Sequence, residues 1–166
     1  MKLTTILMTL LLTAGLMTSC GSSKKKNNGE AEAYAEDNKI ARSLEINGDS
    51  DSGRAGDMKT VYFAYNSSNL TSFAKATLDN NAKFLVANAS VQIQIEGHCD
   101  ERGGVEYNLA LGEKRARTVK QYLGAMGVDA SRVTIVSFGK ERPIEFGHTE
   151  TAWSKNRRAN FVITAK

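Results

Sequence analysis

The sequence predicts an α/β domain of the α+β type, a two-layer sandwich with helices packed on one face of a four-stranded mixed sheet. Strand-like and helix-like segments follow one another in the order βαβαβ(α)β between residues 58 and 166. The strand-like segments alternate apolar and polar residues, so the helices should cover one face of the sheet and leave the other exposed. The chain has 166 residues, 41% hydrophobic and 24% charged. This composition excludes collagen, coiled coil and disorder of the whole chain, and the length suits one domain with an extension.

The first half of this domain is predicted as strand, helix and strand. Residues 61–65 alternate, with the apolar side chains on one face. Residues 70–88 carry apolar residues three or four positions apart, which places them on one face of a helix. Residues 91–96, Val-Gln-Ile-Gln-Ile-Glu, alternate strictly and form the clearest strand pattern in the chain.

The second half is predicted to contain a loop, an amphipathic helix, a third strand, a short helix and a last strand. In that order, these segments are residues 97–104, 109–126, 133–138, 149–156 and 160–164. The apolar spacing of three and four residues defines the longer helix, and Gly127 is a typical residue just past a helix end. Strands separated by helices predict right-handed crossovers.

The first 20 residues have the pattern of an export signal. Lys2 is followed by 15 uncharged, mostly apolar residues, which is too short to span a bilayer and typical of a signal peptide. A small-residue pair then precedes Cys20, as in a bacterial lipobox, although Met17 stands where Leu is usual. We therefore predict a signal peptide at residues 1–19 and lipidation of Cys20, which would anchor the chain in a membrane. A secretory signal with a chance cysteine, giving an unlipidated periplasmic adaptor, is the alternative.

Residues 20–57 are predicted to form the lipidated cysteine and a flexible polar tether. Strongly apolar residues are scarce here, so this segment cannot bury enough surface to offset the entropy of ordering it. The remaining residues, 58–166, carry 15 basic and 10 acidic side chains, a net charge of +5. Basic domains often bind nucleic acid, but the export signal argues against that partner.

Residues 97–116 hold the densest cluster of polar side chains. The cluster begins where the second strand ends, the place where ligands tend to bind open α/β sheets. Asp100 lies at the strand end and Arg115 about two turns into the following helix, so the two can face each other across the loop. A carboxylate opposite a guanidinium suits a ligand with both an ammonium and a carboxylate group. A structural salt bridge between Asp100 and Arg115 is the alternative.

The same cluster resembles a known signature. Gly-His-Cys-Asp-Glu-Arg-Gly-Gly-x-Glu-Tyr-Asn-Leu-Ala-Leu-Gly-x-x-Arg-Ala, from residue 97, is similar to the OmpA-like peptidoglycan-binding domain, in particular that of the peptidoglycan-associated lipoproteins (Pal). The likeness extends over residues 58–166, through Ser-Phe-Gly-Lys-Glu-Arg-Pro at 137–143 and Ala-Trp-Ser-Lys-Asn-Arg-Arg-Ala at 152–159. The resemblance implies the OmpA-like fold and no enzymatic activity.

The resemblance also implies a ligand, the meso-diaminopimelate of the peptidoglycan stem peptide. Asp100 and Arg115 match the family positions that hold its ammonium and carboxylate groups. Asn108 and Leu111 match positions that shape the pocket, and Tyr65 and Asn66 lie at the end of the first strand. Two residues depart from the family pattern, because Asp is common where Asn66 stands and Thr where Cys99 stands. One arginine of the Asn-Arg-Arg run at 156–158 is expected to brace the pocket.

The resemblance places the chain in the outer membrane, facing the periplasm, with acyl chains on Cys20 in the lipid and the domain on the cell wall. A TolB-like periplasmic protein is a further implied partner, within a Tol-Pal-like system that supports envelope integrity and cell division. The alternative from another class is a wall-acting hydrolase. Such an enzyme needs a metal or an activated nucleophile, and we expect neither from His98, Cys99 and His148, since adjacent strand residues point to opposite faces. No cofactor is predicted, and Arg115→Ala is expected to leave the fold nearly intact.

Overall fold

The computed structural model of the chain describes residues 44–166. The predicted signal peptide at 1–19, the lipidation of Cys20 and the tether up to residue 43 lie outside the described residues. Within the described part, no helix is both long enough and apolar enough to cross a membrane.

The described residues form a four-stranded mixed sheet with helices. The strands and α-helices are, in chain order, β1 (Val61–Tyr62), α1 (Ser72–Ala87), β2 (Gln92–His98), α2 (Val105–Ala125), β3 (Val133–Gly139), α3 (Glu150–Asn156) and β4 (Arg158–Ala165). The strand order across the sheet is β1-β4-β2-β3. Strands β2 and β3 are parallel, and β4 runs antiparallel to both β1 and β2. The predicted fold class is confirmed, including the mixed sheet.

The core lies between the sheet and the two long helices. The strict alternation of β2 buries Ile93 and Ile95 beside Phe161 and Ile163 of β4. Helix α1 begins where the Thr71 side chain accepts a hydrogen bond from the backbone N–H of Ala74. The helix residues that complete the core are Ala74, Leu78, Ala82 and Leu85 from α1 and Ala116, Val119 and Leu123 from α2.

Two glycines let α2 lie directly against β2. A Cβ atom on Gly97 would stand 1.9 Å from the backbone oxygen of Gly112, and one on Gly112 would stand 2.3 Å from Oγ of Ser137 and 2.8 Å from the backbone oxygen of Gly97. No side chain fits between these backbones, so both positions require glycine. The contact fixes the height of α2 over the end of β2, which is where Asp100 and Arg115 are found.

Two element boundaries near this contact differ from the prediction, the end of β1 and the start of α2. Strand β1 has two residues instead of the predicted 61–65, because only Val61 and Tyr62 pair with β4 and the chain then turns toward the helices. Helix α2 begins at Val105, before the predicted 109, because the Asn108 side chain donates to the backbone oxygen of Gly104 and holds the first turn. Both differences bring polar residues to the same end of the sheet.

Residues 44–57 correct the predicted tether boundary. Their backbone pairs with β4 beyond the end of β1: the N–H of Asn47 donates to Ile163 and that of Ser50 to Phe161, at 2.8 and 2.9 Å. Asp51 forms an ion pair with the buried side chain of Arg158, at 2.7 Å. The packed part of the chain therefore extends back to residue 44 instead of beginning at 58. The segment is short of apolar residues because it is held mainly by hydrogen bonds.

Candidate ligand-binding site

A cleft of about 260 Å³ opens at the end of the sheet where β2 stops and α2 begins. All six site residues predicted from the sequence line it. They are Tyr65, Asn66, Asp100, Asn108, Leu111 and Arg115. The cleft is also lined by Arg157, from the Asn-Arg-Arg run that was expected to brace it, and by four residues that the sequence had not assigned to it, namely Cys99, Arg102, Gly103 and Tyr107.

Arg115 forms the floor of the cleft and is fully buried, with 0% of its surface exposed. Its guanidinium donates to three backbone oxygens: Nε to Ser67 at 2.9 Å, Nη1 to His98 at 2.7 Å and Nη2 to Ala64 at 3.1 Å. Nη1 also approaches Sγ of Cys99 at 3.4 Å. Four of its five N–H groups are thus used, and within residues 44–166 the second N–H of Nη2 makes no hydrogen bond.

Among residues 44–166, no carboxylate forms an ion pair with Arg115. Burial lowers the pKa of Arg115, because removal from water disfavours the charged form. Within the described part of the chain, the direct hydrogen-bond partners of this guanidinium are the three backbone oxygens and Sγ of Cys99. A buried cation at the base of an open cleft is a strong site for an anionic group of a ligand.

These contacts argue against the expectation that Arg115→Ala leaves the fold nearly intact. The substitution would leave carbonyl groups of Ala64, Ser67 and His98 without their donors and would open a cavity. Each buried polar group left without a partner costs about 1–3 kcal/mol. Arg115 therefore supports the fold as well as the cleft.

Asp100 lies beside the floor and pairs with two other arginines. Its Oδ2 is 2.6 Å from Nη2 of Arg102 and 3.3 Å from Nη1 of Arg157, and its Oδ1 accepts from Nε and the backbone N–H of Arg102, both at 3.1 Å. Burial raises the pKa of Asp100, but the hydrogen bonds from Arg102 and Arg157 outweigh it, so the net pKa is lowered. Asp100 is therefore an ionised carboxylate at neutral pH.

The predicted alternative of a structural salt bridge between Asp100 and Arg115 is wrong. Among residues 44–166, the ion-pair partners of Asp100 are Arg102 and Arg157. The two residues line the same cleft without bonding to each other. Sequence spacing placed both side chains at the site, but the distance along the chain could not tell which arginine reaches the carboxylate.

Arg102 lies at the mouth of the cleft between two aromatic rings. Its guanidinium carbon is 3.9 Å from the ring centre of Tyr65 and 3.9 Å from that of Trp153. The Arg102 side chain keeps 28% of its surface exposed. Its Nη2 is also 3.8 Å from a carboxylate oxygen of Glu150, which is the first residue of α3. The backbone bond from Arg102 to Oδ1 of Asp100 spans two residues, a pattern typical of Asp in turns that could have pointed to this pair.

Arg157 braces the cleft from behind, as expected for one arginine of the Asn-Arg-Arg run. Its Nε donates to the backbone oxygen of Phe63 at 3.1 Å, Nη1 reaches Asp100, and Nη2 bonds to Glu150. Three guanidinium groups and one carboxylate therefore line the cleft itself. The excess of positive charge favours ligands that bring at least one carboxylate.

The other predicted residues shape the walls. The Asn108 side chain donates to the backbone oxygens of Arg102 and Gly104 at 2.9 and 3.0 Å, which fixes the loop that carries Asp100. Asn66 has a positive φ of 52° and accepts a hydrogen bond from the hydroxyl of Tyr107 on the opposite wall. Leu111 contributes apolar surface. Because Asn66 carries no charge, Asp100 is the one carboxylate among the lining residues.

The residues weighed for metal or nucleophile chemistry do not converge. His98 is buried with its ring stacked on Phe138, whereas Cys99 lines the cleft and His148 bonds to Glu101 at the surface. In the part of the chain that the structure describes, no group of three His, Cys, Asp or Glu residues is placed to hold a metal ion. Burial raises the pKa of Cys99, so its thiol is protonated at neutral pH, and Sγ donates to the backbone oxygen of Asn108.

Comparisons with known proteins match this sequence and this fold. A model of the OmpA family matches residues 62–157. The chain is 49% identical over 100 residues to a peptidoglycan-associated lipoprotein of Pasteurella multocida, covering 60% of this chain and 67% of that protein. It is 37% identical over 163 residues to one of Buchnera aphidicola, covering 94% of both chains. The matches to the first four relatives span 58–67% of their own lengths.

Solved structures with similar folds include a peptidoglycan-associated lipoprotein and a second protein. The crystal structure of the peptidoglycan-associated lipoprotein from Burkholderia pseudomallei aligns with a TM-score of 0.61 at 42% identity, covering 63% of this chain and 88% of that chain. The C-terminal domain of Helicobacter pylori MotB aligns with a TM-score of 0.61 at 20% identity, over 65% of this chain and 85% of that chain. The second likeness concerns the fold alone.

Proposed function

Because the chain belongs to the OmpA family and, within it, to the peptidoglycan-associated lipoproteins, we propose that its cleft binds peptidoglycan without making or breaking bonds. The ligand group is the meso-diaminopimelate of the stem peptide. The observation that carries the proposal is Arg115, a buried guanidinium that lines the cleft and forms no ion pair with a carboxylate among residues 44–166.

The geometry fits a zwitterionic end group. The second N–H of Nη2 of Arg115 would donate to the diaminopimelate carboxylate at the floor. Asp100, ionised and held by Arg157, would accept from the ammonium group. A lysine-type stem peptide carries the ammonium without the carboxylate and would leave Arg115 without an anion, so it should bind more weakly.

The site also favours binding over hydrolysis. The candidate nucleophile Cys99 is a protonated, buried thiol that bonds to a backbone oxygen. A wall-acting hydrolase, the other class predicted from the sequence, would need an activated thiolate or a metal-bound water. The residues of the cleft provide charge and shape for recognition instead.

We further propose the cellular arrangement implied by the family. Acyl chains on Cys20 would hold the chain in the outer membrane, on the periplasmic side, and the domain would hold the cell wall. A TolB-like periplasmic protein is the proposed partner, within a Tol-Pal-like system that supports envelope integrity and cell division. A mass shift of the mature amino terminus by its acyl chains would support the anchor, and an unmodified amino terminus would support the unlipidated adaptor.

Sedimentation with insoluble peptidoglycan tests the main proposal. The full chain in detergent should sediment with walls that contain diaminopimelate, much less with lysine-type walls, and should release no soluble fragments. Arg115→Met should abolish sedimentation, and its folded fraction should be checked by circular dichroism because this residue also supports the fold. Asp100→Asn keeps the side-chain size and serves as the matched variant, with binding expected to fall about tenfold. Soluble wall fragments, or unchanged sedimentation of both variants, would contradict the proposal.

A further inference from the structure

We propose that Arg102 is a specificity-determining residue that competes with the ligand ammonium for Asp100. When no ligand is bound, Arg102 neutralises this carboxylate, and a ligand enters by replacing it. The inference rests on the proposed function, because it assigns a role at the same cleft.

Arg102 occupies the two oxygens of Asp100 that an ammonium group would use. Nη2 of Arg102 lies 2.6 Å from Oδ2 of Asp100, and Nε lies 3.1 Å from Oδ1. This two-point contact is the geometry in which arginine holds a carboxylate most strongly. Arg157 adds a single, longer contact of 3.3 Å to Oδ2. An ammonium group can therefore reach Asp100 closely only if Arg102 gives up its place.

Arg102 has another carboxylate within reach. Glu150 lies 3.8 Å from Nη2 of Arg102, and its side chain is 64% exposed. The guanidinium carbon of Arg102 lies 3.9 Å from the ring centres of both Tyr65 and Trp153, and these cation–π contacts do not depend on which carboxylate the guanidinium pairs with. The exchange of Asp100 for Glu150, which Nη2 of Arg157 also contacts, would keep the Arg102 charge paired.

The other two arginines that line the cleft are held more firmly than Arg102. Arg115 is bound to three backbone oxygens and cannot turn away without leaving them unpartnered. Arg157 is buried and also bonds to the backbone of Phe63. Arg102 makes its side-chain bonds to carboxylates only, at a partly exposed position. It is the arginine of the cleft that is free to exchange partners.

The consequence is selection for the free ammonium. A ligand with an ammonium replaces one cation on Asp100 by another, whereas a ligand whose amine is acylated leaves Arg102 in place and gains nothing from Asp100. In a cell wall, acylation of this amine is the covalent state of a crosslinked stem peptide. The cleft should therefore prefer stem peptides that are not crosslinked through this amine.

Calorimetric titration of the full chain tests the inference. The probes are the tripeptide Ala-γ-Glu-diaminopimelate with a free side-chain amine and the same tripeptide with that amine acetylated. Arg102→Gln removes the competitor, and we expect the Kd for the free-amine peptide to fall by about three- to tenfold while the Kd for the acetylated peptide stays unchanged. An unchanged or increased Kd for the free-amine peptide, or an equal change for both peptides, would overturn it.

A second variant isolates the partner exchange. Glu150→Gln should raise the Kd for the free-amine peptide about threefold in the wild-type background and leave it unchanged in Arg102→Gln. An equal effect in both backgrounds would assign the role of Glu150 to Arg157 and overturn the exchange. Arg115→Met reports separately on the proposed function, which fails if this variant still binds like the wild type. If Arg115→Met loses binding as expected but Arg102→Gln gives no gain in affinity, only the inference fails.

Discussion

The floor and the mouth of the cleft each present an arginine, yet the two are held in opposite ways. At the floor, Arg115 is fully buried and donates to three backbone oxygens in two separate segments, the loop after β1 and the end of β2. At the mouth, Arg102 is partly exposed and is held by side chains, two aromatic rings and two carboxylates. Backbone acceptors are fixed by the fold, whereas side-chain acceptors can be exchanged. The surroundings, more than the residue type, therefore decide which arginine is rigid.

The largest expected effect concerns the close contact between α2 and β2 at Gly112, which positions the floor of the cleft. Gly112→Ala places a Cβ atom 2.3 Å from Oγ of Ser137 and 2.8 Å from the backbone oxygen of Gly97, so α2 must move away from β2. We expect the free energy of unfolding to fall by about 2–3 kcal/mol in urea denaturation, together with loss of peptidoglycan binding. Gly124→Ala in the same helix meets nothing within 4 Å and should be neutral or stabilising. Equal behaviour of the two variants would mean that the floor does not depend on this contact.

The next prediction compares the two arginines directly. Arg115→Lys keeps the charge but loses the planar fork that reaches Ala64, Ser67 and His98. The free energy of unfolding should fall by about 2 kcal/mol, because at least one buried carbonyl is left without a donor. Arg102→Lys should lower it by less than about 1 kcal/mol, as for other partly exposed pairs. Urea denaturation of both variants measures the difference, and equal losses would remove the distinction between floor and mouth.

A smaller effect is expected from acid. His98, whose backbone oxygen accepts from Arg115, has a buried ring. Burial lowers the pKa of this ring below 6.5, although the Glu96 carboxylate at 3.5 Å acts to raise it. The unfolded chain therefore binds a proton more readily, so the stability from neutral His98 is present above pH 6.5 and is lost as the pH falls below it. The slope should not exceed about 1.4 kcal/mol per pH unit, the value for one proton.

Thermal unfolding at pH 7.5, 6.5 and 5.5 measures this loss. The lowered pKa of Asp100 affects stability only near and below pH 3.8, outside the range tested. His98→Gln should flatten the profile between pH 7.5 and 5.5 whatever its effect on absolute stability. A wild-type Tm that rises over the same decrease in pH would contradict the lowered pKa of His98.

The smallest effect lies at the mouth. Tyr65→Leu removes one of the two rings that hold Arg102, and an exposed cation–π contact contributes about 0.5–1 kcal/mol. Tyr65→Phe keeps the ring and should behave like the wild type. Urea denaturation at low and high salt would measure both, and a loss for Tyr65→Phe as large as for Tyr65→Leu would assign the effect to the hydroxyl group instead of the ring.

Much of the fold was predictable because periodicity reports which side chains are buried. The strict alternation over residues 91–96 corresponds to β2, and the apolar spacing of α2 includes Gly112, where the helix meets the sheet. Residues 44–57 escaped this reasoning because they are bound to β4 through backbone hydrogen bonds, which need no apolar side chains. The same holds for β1, whose length depends on pairing with β4 and not on its own alternation.

The cleft was predictable in its members but not in its bonds. The family resemblance identified six lining residues, four of them in the signature around Asp100 and Arg115 and two at the end of the first strand, since a motif reports which positions share a site. It could not show that Asp100 pairs with Arg102 and Arg157. An arginine side chain is long and can adopt many conformations, so only the packed structure shows which carboxylate it contacts. What the six residues bind stays a prediction until a ligand is tested.

The described chain enters the sheet at the end farthest from the cleft. Leu44 accepts a hydrogen bond from Nζ of Lys166, just beyond the last residue of β4, whereas β4 begins next to Arg157 at the cleft. A pull between a bound wall fragment and residue 44 would thus run parallel to the strands. The hydrogen bonds that join residues 47–50 to β4 would then be strained together in shear instead of being opened one after another. In the arrangement proposed above, tension between the membrane and the wall would load these hydrogen bonds in this way.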